Sequence, residues 1–121
     1  MNSYLAFLKK LFYAPFDEGM LRQGYERMID EHLLNLRKID NMKVSYIGLP
    51  HADEHLYQII RLWFGLDGRP LSKKEIGLIE DLHGGRVVSV HLVDKKIRKA
   101  MRILRHPSRY LEFRDKIMRE Q

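Results

Sequence analysis

Residues 71–105 are the most informative part of the sequence for the fold, and they read LSKKEIGLIEDLHGGRVVSVHLVDKKIRKAMRILR. Ser72 followed three residues later by Glu75 is a capping box, which predicts the start of a short helix. That helix is expected to run through the apolar positions Ile76, Ile79 and Leu82. His83-Gly84-Gly85 is a glycine C-cap signal and predicts its end.

A long basic helix is predicted in the second half of this stretch. Arg86 to Leu92 alternates apolar and polar residues, which by itself is typical of a short strand. From Val93 to Leu104 the apolar spacing is helical, lysines and arginines cover the other faces, and Pro107 ends the helix. A short capped helix, a glycine-bearing turn and a long basic helix form a helix-turn-helix outline.

The rest of the chain is also predicted to be helical. Amphipathic helices are expected over residues 3–13, with Ser3 as N-cap, and over residues 17–41. Further helices are expected from residue 51 or 52 to Phe64 and over residues 108–119, with an irregular connection at 42–50. The sequence therefore predicts an all-α fold: an N-terminal helical extension (1–49) with two amphipathic helices, followed by a small helix-turn-helix domain (50–121).

Charge and composition narrow the class of protein. Residues 1–68 carry 8 Lys/Arg and 9 Asp/Glu, whereas residues 69–121 carry 14 and 7, so the C-terminal half is strongly cationic. Such a half favours a polyanionic partner, because neutralised phosphates release their counterions. There is no cysteine, no signal-peptide pattern and no stretch near the roughly 18 apolar residues of a membrane span. We expect a cytoplasmic protein without a membrane partner.

Two runs of sequence resemble one known family. WFGLDGRPLSKKEIG, residues 63–77, and KAMRILRHPSR, residues 99–109, occur in that order. Both runs are similar to the fourth region of the primary sigma factors of bacterial RNA polymerase. The resemblance covers roughly residues 50–115, and the N-terminal 50 residues match nothing in that family. It implies a helical domain that binds RNA polymerase and faces the −35 promoter element.

The resemblance implies two sets of site residues. The polymerase-binding set would grip the flap of the β subunit, and it comprises Ile59, Ile60, Leu62, Trp63 and Phe64. The DNA-binding set lies on and before the basic helix, and it comprises Arg86, Ser89, His91, Lys95, Lys96, Arg98, Lys99, Arg102 and Arg105.

The stretch between the two runs departs from the family. Counted back without gaps from Arg105, the positions that read −35 bases in sigma factors hold Val90, His91, Leu92 and Lys95. Valine and leucine cannot make the bidentate contacts with guanine that dominate specific readout. The neighbouring lysines and arginines can still hold phosphates, which positions a protein without specifying sequence.

Two functions remain open from the sequence. The first is a sigma region-4-like protein that binds RNA polymerase and promoter DNA and modulates transcription initiation. The alternative is a protein-interaction module, a sigma mimic or appropriator, that binds polymerase or another transcription factor without sequence-specific DNA readout. A non-specific nucleic-acid binder on the same scaffold is a third interpretation.

Catalysis and metal binding are not expected. No nucleophile stands in a pattern with a base and an orienting group, so an enzyme is not predicted. His51 and His55 lie four residues apart, as two metal ligands on one helix face would, but no third ligand is near them in sequence. We therefore predict neither a cofactor nor a metal site.

Overall fold

The structure, a computed structural model, describes residues 2–12, 17–41 and 54–118. These residues form six α-helices and two 3₁₀ turns, without a strand, and this confirms the predicted all-α class. The helices are α1 (Ser3–Phe12), α2 (Tyr25–Asp40), α3 (Leu56–Phe64), α4 (Lys73–Gly77), α5 (Val90–Leu104) and α6 (Pro107–Ile117). The 3₁₀ turns are Glu18–Met20 and Glu80–His83. None of the described helices is long and apolar enough to cross a membrane.

Helix α1 is capped one residue earlier than predicted. The Asn2 side-chain oxygen accepts a hydrogen bond from the backbone N–H of Tyr4 at 2.8 Å. Asn2 is therefore the N-cap of α1. The assignment of that role to Ser3 was wrong, because Ser3 already lies within the helix.

The single helix predicted over residues 17–41 is wrong at its N-terminal end. The chain first makes the 3₁₀ turn Glu18–Met20, and helix α2 begins only at Tyr25. The physical reason is Gly24, which adopts a left-handed conformation (φ 83°) directly before the helix. Glycine takes this conformation without steric cost, so it separates the turn from α2 and does not lie inside a helix.

Helix α3 begins at Leu56, later than the predicted residue 51 or 52. Residues 51–53 lie outside the described part of the chain, and His55 is left-handed with φ 51°. The Asp40 carboxylate, at the end of α2, accepts hydrogen bonds from the backbone N–H groups of Leu56 and Tyr57, both at 2.9 Å. A side chain 16 residues away in the sequence therefore caps this helix.

The predicted capping box starts α4. Ser72 Oγ accepts from the N–H of Glu75 at 3.1 Å, and the Glu75 carboxylate accepts from the N–H of Ser72 at 3.0 Å. The helix ends at Gly77, however, and the 3₁₀ turn Glu80–His83 follows it, so the prediction of one helix through Leu82 was wrong. Gly84 is left-handed (φ 67°) and ends this turn, as its glycine signal predicts.

The alternating segment before α5 is not a strand. Ser89 Oγ accepts a hydrogen bond from the N–H of Leu92 at 3.2 Å, which starts the helix at Val90, three residues before the predicted Val93. Helix α6 likewise begins at Pro107 and not at Ser108, because His106 Nδ1 accepts from the N–H of Ser108 at 3.2 Å. Proline suits the first position of a helix, since its missing N–H needs no partner there.

One hydrophobic core joins these helices. The fully buried members include Phe7 and Leu8 of α1, Leu33 of α2, Ile60 of α3 and Leu104 of α5. Residues of the predicted extension and of the predicted helix-turn-helix part thus share one core. The boundary predicted at residues 49 and 50 itself lies outside the described residues.

Candidate nucleic-acid interface

Helix α5 presents a row of basic residues to solvent. His91, Lys95, Arg98 and Arg102 are exposed and recur at intervals of four, three and four residues, which places them on one helix face. We call these four residues the basic stripe. The other face of α5 is anchored in the core by Val93, Ile97, Ala100, Met101 and Leu104. Core packing therefore determines which side of α5 points outward.

Only part of the stripe is neutralised within the chain. Arg98 Nε lies 2.9 Å from Asp94 Oδ2, and Asp94 also accepts a hydrogen bond from Lys73 Nζ at 2.6 Å. Lys73, and secondarily Arg98, hold the pKa of Asp94 below its usual range. Among the described residues, no carboxylate pairs with Lys95 or Arg102. These two cations are available to an external anion.

Three other residues of the predicted DNA-binding set contact the protein itself. Lys96 Nζ donates to His83 Nδ1 at 3.1 Å, since an ammonium group can only donate, and Lys99 pairs with Glu54. The Arg105 guanidinium donates to the backbone oxygens of Leu11 at 3.0 Å and Lys10 at 2.7 Å. Arg105 thereby satisfies carbonyl groups at the C-terminal end of α1.

The Arg-His-Pro-Ser-Arg run, residues 105–109, builds the junction between α5 and α6. Arg105 binds the end of α1, His106 caps α6, and Pro107 occupies the first helical position. Arg109 Nη1 donates to the backbone oxygen of Ile103 at 3.1 Å, near the end of α5. Ser108 Oγ lies 2.7 Å from His106 Nδ1, so each member of the run has a structural contact or a helix-terminal role that explains it.

The N-terminal end of α5 combines polar and apolar exposed residues. Arg86 is exposed in the segment before the helix, and Ser89 is exposed while serving as its N-cap. Val90 is 48% exposed and Leu92 37%, and Val87 in the preceding segment is 53% exposed. Val90, His91, Leu92 and Lys95, which the resemblance predicted to stand at the base-reading positions, are thus at the surface.

A groove runs along one side of α5, between it and helices α1, α3 and α4. It encloses about 670 Å³, and we call it the basic groove. It is lined by Lys10, Trp63, Lys73, Asp94, Lys95, Ile97, Arg98, Met101, Arg102 and Arg105. The sequence-based prediction missed Lys10 and Lys73, because nothing in local spacing indicates that α1 and α4 would meet α5 here.

The residues predicted to bind polymerase are fully or partly buried in the core. Ile59 and Ile60 are fully buried. The Phe64 ring packs edge-on against Phe7 of α1, with ring centroids 5.2 Å apart, and Trp63 lies against Phe64 at 4.8 Å. Trp63 faces the basic groove, so Leu62 alone of the five lines the groove described next.

A second groove, of about 850 Å³, is apolar inside and mainly acidic at its edge. We call it the apolar groove. Its apolar lining is Leu34, Tyr57, Leu62, Ile79 and Leu82, and its polar lining is Arg27, Asp30, Glu31, Gln58, Arg61, Asp67 and Asp81. Leu34 is 40% exposed. A concave surface lined by apolar side chains with polar groups at its edge is typical of a site that binds another molecule.

Metal ligands do not converge in the described part of the chain. Residues 2–12, 17–41 and 54–118 contain no group of three His, Asp or Glu side chains placed to hold a metal ion. Of the histidine pair noted in the sequence, His55 is described and His51 lies outside the described residues.

The molecule therefore carries two surfaces of different chemistry. The first is the basic stripe with the adjoining basic groove, and the second is the apolar groove with its acidic edge. No family model, curated protein or solved structure matches this chain.

Proposed function

We propose that this chain is a sigma region-4-like protein that binds RNA polymerase and promoter DNA and modulates transcription initiation. The basic stripe on α5 is the observation that carries the proposal, because three of its residues lie between the two sequence runs similar to the fourth sigma region and the fourth, Arg102, lies within the second run. In this proposal helix α4, which is capped by Ser72 and packs on α5, is the first helix of a helix-turn-helix-like pair. Its connection, residues 78–89, is longer than the usual three- to four-residue turn.

The basic stripe supports contact with the DNA backbone. Lys95 and Arg102 carry charges that no described carboxylate neutralises, so phosphate oxygens are their natural partners. Phosphate contacts set the position of a protein on the duplex without reading its sequence. We therefore propose that α5 lies against the duplex through Lys95 and Arg102. Arg98 also contributes a phosphate contact, because its partner Asp94 is shared with Lys73 and neutralises Arg98 only in part.

The apolar groove supports contact with RNA polymerase. The resemblance to sigma factors implies the flap of the β subunit as partner, and Leu62 is the member of the predicted set that lines an open apolar surface. Leu34 on the other wall adds a partly exposed contact. We propose that an apolar segment of the polymerase occupies this groove.

The alternative function, a protein-interaction module without DNA readout, has an observation of its own. Val87, Val90 and Leu92 are exposed at the end of α5 that would read bases. An exposed apolar cluster favours contact with a protein over hydrogen bonding to base edges. In this alternative the chain is a sigma mimic or appropriator that binds polymerase or another transcription factor.

Duplex binding separates the two functions. Lys95→Ala and Arg102→Ala should each weaken binding to a promoter duplex and lower the salt slope by about one. Lys38→Ala, which removes an exposed lysine on α2, is the matched control and should leave both unchanged. Polymerase binding without measurable duplex affinity at about 100 mM salt would support the alternative. Absence of both activities would contradict both functions.

A further inference from the structure

The basic groove concentrates positive charge from three separate helices. Its six cationic side chains are Lys10 of α1, Lys73 of α4, and Lys95, Arg98, Arg102 and Arg105 on or just after α5. The only carboxylate in its lining is Asp94, which already binds both Lys73 and Arg98. The groove therefore has a large excess of positive charge.

The cationic side chains of the basic groove repel one another. Like charges in a concave surface repel one another, and the low-dielectric walls of a groove strengthen that repulsion. Lys10, Lys95 and Arg102 have no carboxylate partner among the described residues. An anion bound between them would relieve the repulsion and stabilise the fold.

The lining specifies the chemistry of the anion. Lysine and arginine donate charge-assisted hydrogen bonds, and several cations side by side match adjacent phosphate groups better than one carboxylate. Ile97 and Met101 give the groove an apolar part, and the ring of Trp63 forms part of its wall with Lys73 Nζ 5.5 Å from the ring centre. The groove thus offers several cations together with an aromatic surface.

We propose that the basic groove binds a ligand with two or more adjacent phosphate groups, held between Lys10 on one wall and Lys95 and Arg102 on the other. The ligand is either a free polyphosphate chain, as in a nucleotide, or the phosphodiester backbone of a nucleic acid. The site goes beyond the proposed contact of α5, because Lys10 belongs to the part of the chain that has no resemblance to sigma factors. It does not require polymerase binding.

The test uses the full chain, with sodium tripolyphosphate and a short mixed-sequence duplex as separate probes at one ionic strength. Trp63 is the only tryptophan, so its fluorescence reports on the groove directly. Lys10→Ala should weaken binding of the ligand about five- to tenfold. Lys9→Ala removes the same charge from an exposed neighbour outside the groove, and it should change binding less than twofold. The backbone oxygen of residue 10 that Arg105 binds is retained in Lys10→Ala.

The two probes distinguish the two sources of phosphate. A free polyphosphate ligand is supported if Lys10→Ala weakens the binding of tripolyphosphate and Lys9→Ala does not. The same difference seen only with the duplex supports the nucleic-acid backbone. Equal effects of Lys10→Ala and Lys9→Ala on both probes, or no binding of either, would overturn the inference. Tripolyphosphate binding without duplex binding would instead contradict the DNA contact proposed above and leave the groove assignment intact.

Discussion

At the scale of single residues, Arg61 joins three helices and a turn. Its guanidinium donates to both oxygens of Asp67 at 2.8 and 2.7 Å and to Asp30 at 2.9 Å, and the Tyr4 hydroxyl donates to the same Asp30 oxygen at 2.9 Å. The Arg61 side chain is only 14% exposed. Hydrogen bonding to Asp67 is the main cause that raises the Arg61 pKa, and the Asp67 pKa is lowered in turn. This network connects α1, α2 and α3 to the turn at residues 65–70.

Arg61→Met should therefore destabilise the protein. We expect a loss of about 1–2 kcal/mol in the free energy of unfolding, at the lower end for charged hydrogen bonds because both carboxylates are partly solvated. Urea unfolding measures it. Arg27→Met is the control, since Arg27 is 89% exposed and lies 3.8 Å from its partner Glu31, and it should change stability by less than about 0.5 kcal/mol. Equal losses in the two variants would contradict this assignment.

His32 is a buried titratable group. Its ring stacks on Phe113 with centroids 4.0 Å apart, and its Nε2 lies 3.1 Å from the backbone oxygen of Leu104. Burial is the main cause that lowers the His32 pKa, and the charge of Arg109 lowers it further, against the opposing effect of the Leu104 carbonyl. The folded protein thus favours the neutral ring.

The sign of the pH dependence follows from this shift. In the unfolded chain the histidine pKa is about 6.5, so as the pH falls below that value the unfolded state takes up the proton first. The free energy of unfolding should therefore decrease between about pH 7 and pH 5, above the range in which carboxylates such as Asp67 titrate. His32→Gln, which can still donate to Leu104, should flatten this dependence, and His91→Gln at an exposed site should keep it. An unchanged slope in His32→Gln would contradict the argument.

At the scale of elements, α4 depends on its surroundings. A five-residue helix is not stable alone. The capping box of Ser72 and Glu75 satisfies its first N–H groups, and Arg69 and Ser72 lower the Glu75 pKa to about 2. At its other end, the N–H of Val88 donates to the Gly77 oxygen at 2.9 Å. This bond draws the segment before α5 against α4.

Gly77→Ala should show how closely these two elements approach. A Cβ at Gly77 would lie 2.5 Å from the Val88 backbone oxygen, so the segment before α5 would have to move. We expect a loss of about 1–3 kcal/mol, although alanine is the better helix former. Gly68→Ala is the control, because nothing lies within 4 Å of the added Cβ. Thermal unfolding measures the stability of both variants. If Gly77→Ala were as stable as Gly68→Ala, residue 77 and the Val88 backbone oxygen would not be in close contact.

The elements that were predicted correctly have local causes. The capping box at Ser72 is contained within four residues, so the start of α4 could be read directly from the sequence. The start of α3 could not, because Asp40 supplies its cap from another helix. Gly24 was placed inside a helix because its apolar neighbours continue the period, and only its backbone conformation reveals the break. The alternation around Ser89 suggested a strand, although Ser89 caps α5.

The same distinction applies to the candidate site. The basic stripe could be predicted because its spacing belongs to one helix. The contribution of Lys10 could not, since it depends on where α1 packs. Arg105 was predicted to face DNA from its place in a basic run, but its guanidinium binds the end of α1. Composition near a helix end does not distinguish a cation that binds a ligand from one that caps another helix.

At the scale of the whole molecule, α1 is part of the core. Phe7 is fully buried and packs on Phe64, and Arg105 holds the Leu11 carbonyl at 3.0 Å. The segment before α2 is bound to the end of α6, because the N–H of Arg22 donates to the backbone oxygen of Ile117 at 2.9 Å. Residues before α3 are thus bound to both α5 and α6, so we expect the described helices to unfold together.

Phe7→Ala tests this expectation. Removing a fully buried aromatic side chain should cost about 3–5 kcal/mol. Unfolding followed by helical circular dichroism and by Trp63 fluorescence should shift to lower denaturant by the same amount and stay a single transition. Leu111→Ala, at a 56% exposed position of α6, should have little effect. A separate transition at lower denaturant, in which part of the helical circular dichroism is lost before Trp63 fluorescence changes, would show that α1 unfolds independently.

The proposed binding of RNA polymerase through the apolar groove can be tested directly. The most direct measurement is retention of core RNA polymerase by the tagged full chain, compared with Leu34→Lys in the groove and Leu111→Lys on α6 as a matched exposed site. We expect the wild type and Leu111→Lys to retain polymerase and Leu34→Lys to retain about tenfold less. Failure of the wild type to retain polymerase, or equal retention by all three proteins, would contradict it.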